Sequence, residues 1–166
     1  MNLNNLPLLF DNKQTVVSVE TPITERFKIL GFVHKLALNL QLPLYFWNTG
    51  YFQLQLFNDL GQLLPTQNQC TSGLNWILQH PDVPGVFVFE GVISPDISTG
   101  RLSQQTEMML SNLVYDLDAN SVPRFLVCME SYVELPYSLA PLIPVLVNPL
   151  PTAIAIKTLV RDLCDC

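Results

Sequence analysis

The sequence predicts a three-layer α/β domain on a mostly parallel, five-stranded sheet, and three observations lead there. Short β-branched or aromatic runs alternate with stretches whose apolar residues recur every three or four positions, the order that places helices on both faces of a parallel sheet. One run, GVFVFEGV from Gly85 to Val92, is apolar without alternation, as a strand buried on both faces must be. A chain of 166 residues, 49% hydrophobic and 13% charged, fits one domain that buries roughly 70% of its extended surface. No internal repeat or second domain is visible, so residues 1–166 read as a single unit.

The elements follow in order. Thr15 to Glu20 (TVVSVE) is the first strand, and Glu25 to Leu40 is an amphipathic helix with Leu30, Val33, Ala37 and Leu40 on its apolar side. Pro22 and Thr24 suit the first turn of that helix, because proline needs no amide partner there and a threonine hydroxyl accepts an orphan N–H. Leu42 to Asn48 (LPLYFWN) is a second buried strand. Residues 49–72, rich in Gln, Asn, Leu and Gly, have no clear period and read as an irregular excursion, with at most one short strand at 51–57. Gly73 to His80 is a short helix closed by Pro81, and Pro84-Gly85 opens the central strand. A polar loop, 94–100, leads to a helix between about Ser103 and Asp118. Arg124 to Glu130 (RFLVCME) is the fourth strand, Val145 to Val147 a short fifth, and Ala153 to Leu163 a last helix.

Charge and cysteine usage exclude whole classes of function. Eight Lys+Arg against 14 Asp+Glu give a net charge of -6, and no basic run offers a phosphate backbone or an anionic lipid surface a footprint. Neither nucleic acid nor membrane is an expected partner. The two long uncharged windows, Leu36 to Asn58 and Leu135 to Ile156, are interrupted by polar residues and prolines, which a spanning helix does not accept. The opening residues carry no basic n-region or cleavage site. With the four cysteines in unrelated contexts, a reducing cytoplasm is expected. Cys164 and Cys166 form a C-x-C without the further ligands that a zinc site requires.

In open parallel sheets ligands gather at the carboxyl ends of the strands. Three carboxylates stand at such ends, Glu20, Glu90 and Glu130, and together they form a candidate magnesium site if they converge. Against this, the connection after the first strand, ETPITERF, has no glycine and no lysine, so no phosphate loop is present. No G-x-G and no G-x-S-x-G occurs. His34 lies within a helix, and His80 sits at a helix end, where an imidazolium or a carbonyl contact suits the dipole. Cys128 reads as a small apolar core residue. No cofactor is expected, and nucleotide is not, since a lone helix dipole supplies only about 1 kcal/mol.

The order TVVSVETP, LPLYFWNTG, PGVFVFEGV, PRFLVCMES and LPTAIAIKTLV resembles the N-terminal, ATPase-like domain that precedes the AAA module in cyanobacterial and plastid proteins of the hypothetical chloroplast reading frame type. The resemblance implies a P-loop-type sheet that lacks its phosphate loop. It also places Glu90 in the Walker B position and Ser131 near the end of the strand that carries a polar sensor in active relatives. ATP hydrolysis belongs to the second module of that family and is not expected of this chain. The reading is a non-catalytic domain acting by association with a protein partner or with itself, as a regulatory or assembly accessory in a photosynthetic bacterium. Tyr51, Phe52 and Phe57, with Leu54, Leu63 and Leu64, are its expected interface, with folding back as core the alternative for the same residues. The alternative is a magnesium-dependent phosphoesterase or nuclease-like enzyme using Glu20, Glu90 and Glu130.

Overall fold

A computed structural model describes residues 1–148 and 153–164. Seven strands, β1 (Val16–Glu20), β2 (Leu44–Trp47), β3 (Gln53–Phe57), β4 (Leu63–Gln69), β5 (Gly85–Glu90), β6 (Arg124–Glu130) and β7 (Val145–Val147), form one sheet in the order β4-β3-β2-β5-β6-β1-β7. The pairings β2·β5, β5·β6, β6·β1 and β1·β7 are parallel, and β2·β3 and β3·β4 are antiparallel. The helices are α1 (Leu6–Asp11), α2 (Arg26–Asn39), α3 (Leu74–Gln79), α4 (Gln104–Ala119) and α5 (Ala153–Cys164).

The two faces of the sheet build two cores. Val16, Phe87, Phe89, Leu126 and Cys128 pack against α3 and α4. The alternate residues of the same strands, Val17, Val86, Val88, Val127 and Met129, pack with Phe46 against α1 and α2. This is why β5 reads as a continuous apolar run: each side chain meets a helix layer on one side or the other. Phe46, Phe87 and Phe89 are fully buried, each contributing about 2–3 kcal/mol of burial.

Local chemistry sets the element ends. The Ser103 hydroxyl accepts from the Thr106 amide at 3.1 Å, so α4 begins there. At α2 the capping expectation fails: a 3₁₀ turn, Ile23–Glu25, follows Pro22, and no side chain caps the helix. Pro22 thus starts the turn and Thr24 contributes no bond to it. The C-x-C expected at the end of the chain lies partly outside the described residues, at Cys166.

The sheet has seven strands instead of five because residues 49–72 are ordered as a hairpin, β3–β4. Its turn is fixed by Asn58, whose Oδ1 accepts from the amides of Leu60 and Gln62 at 3.0 and 2.9 Å, and by Gly61 at φ +73°, a backbone that favours glycine. The segment's two ends are held by the Trp47 indole, which donates to the Tyr51 and Cys70 carbonyls at 3.0 and 2.9 Å. Pro65 interrupts the outer strand, and a proline there leaves the edge without a full set of donors for another strand. At the opposite edge Val147 N–H donates to the Met1 carbonyl at 2.8 Å. No described helix is long and apolar enough to cross a membrane.

Candidate functional site

The carboxyl ends of β1, β2, β5 and β6 surround a cleft of about 360 Å³ lined by Thr21, Arg26, Asn48, Glu90, Glu130 and Ser131, among others. Its position follows from connectivity. The chain leaves β1 through α2 over one face and leaves β5 through α4 over the other, so the loops part above the centre of the sheet and leave a crevice between them.

The strand register decides where the predicted carboxylates go. Glu20 pairs with Glu130 across β1 and β6, whereas Glu90 pairs with Met129 across β5 and β6. Side chains alternate along a strand, so the one-residue difference puts Glu20 and Glu130 on the α4 side and Glu90 on the α2 side. The register therefore turns Glu20 and Glu130 to one face and Glu90 to the other, while of the three only Glu90 and Glu130 line the cleft. Glu20 Oε2 accepts from the Val133 amide at 3.0 Å. Glu130 accepts from the Ser94 hydroxyl at 2.6 Å and from the Ser131 amide at 3.2 Å. Among the described residues no three His, Cys, Asp or Glu side chains are grouped as metal ligands would be.

Glu90 is taken up by Arg26. The guanidinium meets it with two parallel bonds, Nε to Oε2 at 2.6 Å and Nη2 to Oε1 at 2.7 Å. Its plane lies over the Phe46 ring, 5.4 Å from the centroid. The two side chains are 25% and 10% exposed, so this is a half-buried, forked ion pair, the strong geometry for arginine and carboxylate. The bond to Glu90 raises the Arg26 pKa above its ordinary value. Position explains the pairing: Arg26 is the first residue of α2, on the face toward which the phase of β5 turns Glu90. Sequence reading passed over Arg26. The available signal was an arginine just after the first strand's connection, in a chain where a carboxylate ends the most buried strand.

The other predicted positions separate by burial. Phe52 is exposed on the loop before β3. Tyr51 is half-buried and touches both cores. Phe57 and Leu54 are corrections to the expected interface: both are buried, because alternation in Gln-Leu-Gln-Leu-Phe faces them into the molecule once the hairpin forms. His34 Nε2 meets Asp59 at 2.9 Å with its ring edge-on to Phe57. His80 donates from Nδ1 to the Trp76 carbonyl at 2.7 Å, the carbonyl contact its position suggested. Burial pushes the Cys128 thiol up to about 12 and the Cys70 thiol to about 11, which leaves both without thiolate character near neutrality.

Fold and cleft together define an α/β domain with a polar crevice at the carboxyl end of its parallel strands, the central acid of which is neutralised from within. The sequence matches no protein-family model and no curated protein.

Proposed function

We propose that this chain is a P-loop-like domain without catalytic activity that works by protein association, as a homo-oligomer or as an accessory to an AAA ATPase in the cytoplasm of a photosynthetic bacterium. The observation that carries the reading is the Arg26–Glu90 pair. The acid in the Walker B position of the resemblance is held at 2.6 and 2.7 Å by an arginine of the same chain, and the loop from Thr21 to Glu25 offers neither glycine nor lysine to a phosphate. Counting the parallel strands alone, the first lies between the fourth and the fifth, and the third, β5, ends in the acid. That arrangement supports the P-loop-like reading.

Association is supported by the rim of the same cleft. Ile23, which lines the cleft, Phe27 in the first turn of α2, and Phe52 and Tyr132 in connections at this end of the sheet are large apolar side chains left exposed, and exposed apolar surface of this kind marks interaction surfaces. The magnesium alternative needs Glu90 beside Glu20 and Glu130, and the register turns it to the other face.

Thermal shift with millimolar magnesium-ATP, ADP or GTP, each against magnesium alone, tests the reading. A ligand at ten times its Kd would raise the midpoint by roughly 2–5 degrees. The expected result is no shift with any of the three. A shift of that size would mean the cleft holds nucleotide despite its internal pair and would overturn the reading.

A further inference from the structure

The last helix and one groove of this chain have complementary surfaces. From Ile156 to Cys164 every side chain of α5 is exposed. Ile156, Leu159, Val160 and Leu163, at spacings of three and four, line one side of it, the pattern of a helix made to be covered. Lys157 and Arg161, one turn apart, flank that stripe, with Asp162 beside Arg161. The groove, about 550 Å³, runs between the loop after β5 and the loop after β6, with Leu102, Leu135, Pro136 and Tyr137 as its apolar lining and Glu107, Glu134 and Arg101 as its charges. Tyr137 and Ile97, one on each loop, stand wholly in solvent. The Ser138 hydroxyl donates to Glu107 and ties the proline-containing loop to α4.

We propose that α5 of one copy docks into this groove on a second copy, its apolar stripe inward. The proposal rests on the association reading above and names the surface and the occupant. A three-turn amphipathic helix laid in an apolar groove is a recurrent recognition mode. The charge count matches as well: two bases and one acid on the helix meet two acids and one base in the groove. Stripe and groove are different surfaces, so the same contact forms a reciprocal pair or a head-to-tail chain.

Sedimentation of the full chain from about 1 to 200 µM, the range of modest affinities, tests it with two exposed-site variants. Leu159→Glu removes the stripe and Tyr137→Lys spoils the groove, and far-UV circular dichroism checks that both remain folded. The wild type is expected to grow in mass with concentration, and each variant alone to self-associate at least about thirtyfold more weakly. An equimolar mixture of the two is expected to give a one-to-one dimer and nothing larger, since it retains a single intact contact. A mixture that stays monomeric, or a Tyr137→Lys chain that associates like the wild type, overturns the docking and leaves association by another surface standing. A wild type monomeric throughout overturns self-docking, while the nucleotide experiment still decides the reading of the cleft.

Discussion

Arg26 and Arg124 stand at opposite ends of the same sheet, each with its guanidinium over a phenylalanine, 5.4 Å from Phe46 and 5.8 Å from Phe87. Arg124 opens β6 and is buried. It donates only to carbonyls, Nη2 to Ile77 at 2.7 Å and Nε to Val83 at 3.1 Å, and burial lowers its pKa. Arg26 faces a carboxylate instead, and its pKa is raised. The first arginine closes the C-terminal turn of α3, donating to the Ile77 carbonyl, which the His80 amide also meets at 3.4 Å, and to the Val83 carbonyl beyond the helix. The second takes the one acid that the carboxyl end turns toward α2, in the place where such sheets hold ligands. The amino end is tied by an arginine bonded to backbone carbonyls, and the carboxyl end is a cleft in which Glu90 is paired within the chain while Glu130 lines it beside serine.

The largest expected effect lies at the amino end. Arg124→Met removes the donor to the Val83 carbonyl and the shorter of the two donors to the Ile77 carbonyl and is expected to cost about 3 kcal/mol, lowering the Tm by roughly 6–12 degrees for a domain of this size. A loss under about 1 kcal/mol would mean that the Ile77 and Val83 carbonyls find other donors. Arg26→Met should cost less, about 1–2 kcal/mol, because solvent screens a pair that is a quarter exposed on the arginine side. Chemical denaturation of both variants ranks the two ends directly, and the reverse order would contradict the comparison.

A smaller effect comes from the strand that joins them. Cys128 lies within β6, and its buried thiol is raised from 9.0 to about 12. A raised folded-state pKa means the unfolded chain loses its proton first as pH rises. The stabilisation is therefore complete below about pH 9 and is lost between about 9 and 12, at up to about 1.4 kcal/mol per pH unit. Cys128→Ala is expected to flatten the alkaline decline in stability measured by denaturation across this window, and an unchanged slope would show that the thiol does not contribute.

How much of this was legible in the sequence differs between the same regions. The parallel strands were readable as short apolar runs and α2, α4 and α5 from apolar residues at helical spacing, and GVFVFEGV, apolar without alternation, reads as the centre of a sheet. The hairpin was not, since Gln-rich strands carry little β propensity and their order depends on the indole of Trp47 reaching the Tyr51 and Cys70 carbonyls. The acids of the site were legible as strand ends, but their divergence was not. It turns on whether Glu90 pairs with Met129 or with Glu130, a one-residue register that flips a side chain to the opposite face. Arg26 could be recognised only once that face was known.

A double-mutant cycle on Arg26→Met and Glu90→Gln, read by chemical denaturation, measures whether Arg26 and Glu90 are coupled across the cleft. If the cleft's acid is consumed by Arg26, the two changes are non-additive, with a coupling of about 1–2 kcal/mol. Additivity to within about 0.5 kcal/mol would mean that Glu90 is free to serve a ligand and would contradict the account.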